Sequence, residues 1–316
     1  MHKKIILLIL SLIFIISCSS PSNPDNGNEG NNGGSTVPPP TGPTEEELIK
    51  KYGIDIGQDD ATISQQIEAN LKAYYTEMGS YRVIFTGTTA NYGNHESLYT
   101  LTLKAASKIN TTMNIELDIK NIDFKDGIVP TGMFSGEDLG NYGIVISFIF
   151  PENKIKTIEM LSFTQLYNTK EITLPDSLIT IKDNSFVNSQ SIEVLNLGNG
   201  VQTIGMTAFA YLESLKELVI PKSVTSMDAG AFNACNLLEK ITIPASLTSI
   251  GYGAFSTCPS LTTVIYYGTS PDTIQNNDAL SFCAKLTTLI VPNATNPNDE
   301  KWKTFLGGNF TEVKQN

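Results

Sequence analysis

The chain has 316 residues, 41% of them apolar, and a formal charge of −11. That suits one long folded unit or two compact ones and excludes a bundle of membrane spans. The acidic balance disfavours nucleic acid and anionic lipid as partners of the folded surface. With His2 and His95 as its two histidines, a histidine-rich metal centre is excluded, and no residue pattern asks for a cofactor.

In chain order, His2, Lys3 and Lys4 lead into Ile5 to Ile16, apolar throughout except for Ser11. As a helix this run rises about 18 Å, too short for a hydrocarbon core of about 30 Å, so residues 1–17 read as a signal peptide. Ile15-Ile16-Ser17-Cys18 resembles a lipobox. The resemblance implies lipidation of Cys18 as the first mature residue, making the membrane a partner through that anchor. Loss of Lys3 and Lys4 takes the charge from −11 to −13. The rest of residues 18–43, rich in Ser, Pro, Asn and Gly, is expected to be a disordered tether, because it cannot bury enough surface to offset its ordering entropy.

Residues 44–143 read as an N-terminal cap, helical and βαβ. Thr44-x-x-Glu47 and Thr62-x-x-Gln65 have the form of capping boxes. The second is expected to open a helix that carries Ile63, Ile67, Leu71, Tyr74 and Met78 on one face and stops at Gly79. Tyr81 to Thr86 alternates as a strand, Glu96 to Ile109 reads as a helix, and Ile115, Leu117 and Ile119 alternate again. That order is a βαβ unit feeding a parallel stack. Asp55-x-Gly57-x-Asp59-Asp60 lacks the ligand order of a calcium loop and reads as an acidic helix start. His95, beside Glu96, reads as an exposed polar residue and not as a catalytic base. Met133-Phe134 looks like a degenerate first repeat turn.

Residues 144–292 are governed by a period of 23. Phe163, Phe186, Phe209, Phe232 and Phe255 form one column; Leu174, Leu197, Ile220, Ile243 and Tyr266 a second; Ile158, Ile181, Ile204, Met227 and Ile250 a third. Three columns in one register describe a solenoid whose rungs bury their apolar edges against each other. Within a rung, Leu215-x-x-Leu218-x-Ile220 is a strand with Leu218 and Ile220 inward and Glu217 and Val219 outward, ended by Pro221.

Ile241 to Leu261 reads Ile-Thr-Ile-Pro-Ala-Ser-Leu-Thr-Ser-Ile-Gly-Tyr-Gly-Ala-Phe-Ser-Thr-Cys-Pro-Ser-Leu. This run resembles the repeat of the BspA-like leucine-rich-repeat family of bacterial surface proteins. The resemblance departs twice. The second rung has Gly198-Asn199-Gly200 for Pro-x-Ser, read as a turn and not a nucleotide loop. The last rung gains two residues within Gly268 to Ala279 and carries Leu280 for Phe. Cys235, Cys258 and Cys283 share a column, as core thiols or as an inter-rung disulfide, and a metal site is disfavoured because same-column residues do not converge. Residues 293–316 are expected to cap the stack through a short helix bearing Trp302, Phe305 and Leu306.

The expected fold is therefore an α/β repeat solenoid, a right-handed leucine-rich-repeat coil with a concave parallel sheet taken to be continuous. Its outward side carries Val219, Thr242, Ile265, Tyr267 and Ile290, the candidate binding face for a protein ligand. By resemblance the function is non-catalytic adhesion to host matrix or other cells, from a lipid-anchored position at the outer membrane or cell surface. An inert scaffold and an unrecognised hydrolase are the alternatives.

Overall fold

The computed structural model describes residues 42–92, 95–140, 143–275 and 278–315. The expected signal, Cys18 and most of the expected tether lie outside them. Helix α1 (Glu45–Tyr52) opens with the capping box of Thr44 and Glu47: Glu47 N donates to Thr44 Oγ1 at 3.3 Å and Thr44 N donates to Glu47 Oε2 at 2.8 Å. After strand β1 (Gly53–Asp55) comes α2 (Asp60–Met78), whose start corrects the second expected box. The N-cap is Asp59, which accepts from Thr62 N at 2.9 Å, so Thr62 lies inside the first turn. An aspartate caps as well as threonine and adds its charge to the positive end of the helix. Gly79, at φ 72°, closes the helix. Ile63, Ile67, Leu71 and Tyr74 are buried as expected, whereas Met78, in the last turn, is exposed.

Strand β2 (Tyr81–Thr88), helix α3 (Leu98–Ser107) and strand β3 (Met113–Asp123) form the anticipated βαβ unit, with α3 shorter than expected because Ser97 caps it. Strands β4 (Ile128–Val129) and β5 (Ile144–Ile149) follow. The cap sheet has the order β1-β2-β3-β5, all parallel. Strand β2 does not alternate as expected. Val83 and Phe85 join the main core, while Ile84 packs with Leu48, Tyr52 and Tyr74 on the opposite face. A central parallel strand is covered on both faces, which erases the apolar–polar pattern.

The repeats contribute β6 (Thr157–Ile158), β7 (Glu171–Thr173), β8 (Thr180–Ile181), β9 (Val194–Asn196), β10 (Thr203–Ile204), β11 (Glu217–Val219), β12 (Ser226–Met227), β13 (Lys240–Ile243), β14 (Ser249–Ile250), β15 (Thr263–Tyr266) and β16 (Thr288–Ile290). The two-residue strands pair in the order β14-β12-β10-β8-β6-β4, a second parallel ladder with Ile158, Ile181, Ile204, Met227 and Ile250 turned inward. Between the two ladders run the phenylalanines. Phe134, Phe163, Phe186, Phe209, Phe232 and Phe255 stack with ring centroids 5.1, 5.0, 4.9, 5.0 and 5.5 Å apart, all fully buried. Phe134 thus begins the column, and buried Leu280 follows Phe255 at its end.

Each turn around the phenylalanine takes two left-handed residues. Leu161, Asn184, Thr207 and Asp278 have φ between 49° and 60°, and Gln165, Asn188, Tyr211, Ala234, Thr257 and Phe282 between 57° and 63°. Each such side chain costs about 1–2 kcal/mol of local strain. Stacking of neighbouring rungs imposes the conformation, as in the bonds from Thr207 N to Ala229 O and from Tyr211 N to Asn233 O, at 3.0 and 2.9 Å.

The C-terminal cap corrects the expected helix face. Glu300–Gly307 is a 3-10 segment broken at Thr304, Phe305 and Leu306. Trp302 and Phe305 still cover the last rung, with ring centroids 6.0 and 4.7 Å from that of Tyr266. The Tyr266 ring takes the place of an isoleucine and needs Gly268, where a Cβ would fall 2.1 Å from it. Strand β17 (Glu312–Lys314) then adds to β16, closing the sheet with charged residues at an edge that would otherwise invite pairing.

The main sheet is not continuous. It runs β11-β13-β15-β16-β17, while β7-β9 stand as a separate pair. The expectation of one unbroken sheet is corrected in two places, between β5 and β7 and between β9 and β11, the second at the rung where Gly198-Asn199-Gly200 replaces Pro-x-Ser.

Candidate binding face

Val219, Thr242, Ile265 and Ile290 are register partners across β11, β13, β15 and β16, and Lys314 of β17 extends the row. Neighbouring strands in such a row stand about 4.8 Å apart. Tyr267 follows Ile265 by two positions and shares its face. Its N–H donates to Ile243 O at 3.0 Å and its carbonyl accepts from Asn293 Nδ2 at 2.9 Å, so the backbone is fixed while the ring is exposed. All five expected residues therefore lie together on the outward side, with Val219 61% exposed. The flanking ion pairs Lys170–Glu193 at 3.4 Å and Glu217–Lys240 at 3.0 Å are exposed. Pairs of this kind contribute little to stability.

Between β9 and β11 the face opens. At β7/β9, Val194 N donates to Lys170 O and Leu174 N to Asn196 O; at β11/β13, Lys240 N donates to Lys216 O and Ile220 N to Thr242 O. No counterpart joins β9 to β11 among the described residues. The result is a groove of about 680 Å³ flanked by Val194 and Val219. Its cause is local. Gly198 has φ 73°, and a Cβ there would sit 2.8 Å from Leu174 O, while one on Gly200 would sit 2.0 Å from Asp176 O. The Asp176 carboxylate also holds Asn199 N at 2.7 Å and Asn199 Nδ2 at 3.1 Å. The second rung's turn is thus held closely against the first rung. The sequence signal was this Gly-Asn-Gly; its effect on pairing was not legible from it.

His95 and the three column thiols are engaged in structural contacts. His95 is not a plain exposed residue: its Nδ1 lies 2.7 Å from Asp60 Oδ1, and Glu96 N donates to Asp60 Oδ2 at 2.9 Å. The pair clamps the entry of α3 to the start of α2. Cys235 and Cys258 are buried free thiols and Cys283 is a half-buried one. Each donates to the phenylalanine carbonyl of the rung before it, at 3.6, 3.5 and 3.2 Å. A hydrogen-bonding contact in which the protonated thiol is the donor to the preceding cysteine of the column, joined by burial, pushes the Cys258 and Cys283 thiols up, away from the reactive thiolate. No helix among the described residues is long and apolar enough to cross a membrane.

Among known proteins, the family described as BspA type leucine rich repeat region matches in six copies over residues 141–262 and 202–305. None of the curated proteins matches the chain. Similar solved structures include a leucine-rich-repeat protein of T. pallidum, 20% identical, covering 58% of this chain and 73% of that one, with a TM-score of 0.38. Another is a leucine-rich-repeat protein of Bacteroides ovatus, 18% identical, covering 63% and 60%, with a TM-score of 0.37. A third is a leucine-rich cell surface protein of Faecalibacterium prausnitzii, 14% identical, covering 64% and 82%, with a TM-score of 0.23. With matched repeats spanning residues 141–305, just over half its length, this chain belongs to the BspA-type leucine-rich-repeat family.

Proposed function

We propose that the protein is a non-catalytic bacterial surface lipoprotein, anchored in the outer membrane through Cys18, whose main sheet binds a protein in attachment to host matrix or other cells. The observation that carries this reading is the outward row of Val219, Ile265 and Ile290 with Tyr267 beside it. These side chains add nothing to the buried core, and an apolar row with an aromatic neighbour is the composition of an interface centre. Membership of an interaction-repeat family supports the same reading. The engagement of His95 with Asp60, and of the thiols with main-chain carbonyls, supports a non-catalytic role.

The test is Ile265→Glu combined with Tyr267→Lys in the mature chain. Both side chains point outward, so the melting midpoint should stay within about 2 °C of the parent, as for surface changes worth under about 0.5 kcal/mol. Attachment to immobilised extracellular-matrix protein should fall at least about tenfold, the effect of about 1.4 kcal/mol at an interface centre. Attachment at parental strength would sink the reading and leave an inert scaffold in its place.

A further inference from the structure

A second hollow, of about 590 Å³, lies where β5 and β7 run out, at the other break in the main sheet. Its floor is apolar. The Phe148 and Phe150 rings are half-buried and fixed from beneath, 5.4 and 5.8 Å from the buried Phe163 ring and 5.6 Å from each other. Pro151 and Pro175, which follow the two strands, extend that floor.

The charges on the lining are those of two carboxylates, Glu152 after β5 and Asp176 after β7. Glu152 has no ion pair or side-chain hydrogen bond among the described residues. Asp176 Oδ1 accepts from Asn199 N at 2.7 Å and from Asn199 Nδ2 at 3.1 Å, while its Oδ2 has no partner among the described residues. Those two bonds hold the carboxylate in place, with one oxygen open. The nearest ammonium groups are engaged: Lys154 Nζ donates to Lys120 O at 2.9 Å, and Lys120 Nζ to Glu45 Oε1 at 3.1 Å. Asp176 also lines the groove between β9 and β11, but there Glu193 and Glu217 pair with Lys170 and Lys240, and Lys216 adds a further positive charge. The negative charge without a partner therefore sits at the hollow.

An apolar floor beside two unpaired carboxylates is the complement of a side chain with an apolar stem and a positive end. Arginine suits it better than lysine, because its guanidinium is more weakly hydrated, stacks on aromatic rings and offers donors to more than one carboxylate. A neutral segment would satisfy neither carboxylate and an acidic one would be repelled. The chain's charge of −11 favours the approach of a basic partner.

We propose that the hollow between β5 and β7 takes an arginine side chain from an exposed, basic segment of a protein partner. The guanidinium meets Glu152 and Asp176 Oδ2, and the stem lies on Phe150, Pro151 and Pro175. The site rests on the reading of the protein as a binding module and adds a contact at the first rung to the outward row.

The experiment is a nuclear magnetic resonance titration of the mature chain with acetyl-Gly-Arg-Gly-Arg-Gly-amide. Amide shifts should concentrate at Glu152, Asn153 and Asp176. The same peptide with citrulline at both arginines keeps the shape without the charge, and it should bind at least about tenfold more weakly. Glu152→Gln with Asp176→Asn should weaken the arginine peptide at least about tenfold, the new amide oxygen still accepting from Asn199. Glu116→Gln with Glu239→Gln removes the same charge from exposed positions outside the hollow and should leave binding within about twofold. If the Asp176 variant does not fold, Glu152→Gln alone should still weaken binding at least about threefold, since that side chain has no structural partner to lose. Equal binding of the citrulline peptide would overturn the proposal. So would shifts spread away from the hollow, or equal losses in the two double variants. Should the peptide fail to bind while Ile265→Glu with Tyr267→Lys still weakens attachment, this site falls and the main-sheet face stands. Should the peptide bind here while that variant attaches at parental strength, the site stands and the main-sheet reading falls.

Discussion

Asp118→Ala should lower the stability of the folded chain by about 3 kcal/mol or more, the cost of leaving a buried charge without its partner. Asp118 is fully buried in β3 and pairs with the Arg82 guanidinium of β2, itself only 8% exposed. Arg82 also reaches Glu45 of α1, and Lys120 Nζ donates to the same carboxylate at 3.1 Å. Burial alone would raise the Glu45 carboxyl, but hydrogen bonds from Arg82 and Lys120 outweigh it and hold it below the ordinary carboxylate range. A depressed carboxyl contributes stability at neutral pH that is lost as pH falls through its folded value, so the network weakens in acid. Glu45 remains to the arginine after the substitution and places the loss at the lower end of the usual range. Chemical denaturation measures it, and an unchanged midpoint would contradict the network. Replacing both buried partners, as Arg82→Met with Asp118→Leu, should recover most of the loss, because no orphaned charge remains.

Phe232→Ala should cost about 3–5 kcal/mol, through lost burial and the cavity left between rungs. Its ring lies 5.0 Å from Phe209 and 5.5 Å from Phe255, with no solvent contact. In a stack stabilised by nearest neighbours, the gap should also separate the unfolding of the rungs on either side and broaden the transition. Phe232→Leu should cost less than half as much, since leucine already fills the column at Leu280. A melting curve for Phe232→Ala that overlays the parent would mean that the column does not hold the stack.

The columns were legible because a fixed period makes every inward position repeat, and burial follows inward position. What burial does not decide was harder to see. The left-handed turns occur at Leu161, Thr207, Tyr211 and Phe282, residue types that disfavour them, because inter-rung bonds override local preference. The pattern of β2 vanished because both of its faces are covered. Strand β17 is three residues long with two charges, too polar to read as a strand without β16 beside it. The register row of Val219, Thr242, Ile265 and Ile290 was legible from strand alternation. The groove beside it was not, because Gly198-Asn199-Gly200 preserves the period while its turn is held against Asp176.

The binding role of the outward face is most directly tested by placing a photoreactive benzophenone side chain at Val219 or, for comparison, at Tyr252. Both positions are open, 61% and 62% exposed, but Tyr252 lies beside the second ladder and away from the row. Irradiation of the mature chain bound to matrix-coated surfaces should cross-link matrix protein from position 219 and leave position 252 unlinked. Equal cross-linking from both positions, or from position 252 alone, would contradict the assignment of the main sheet as the binding face.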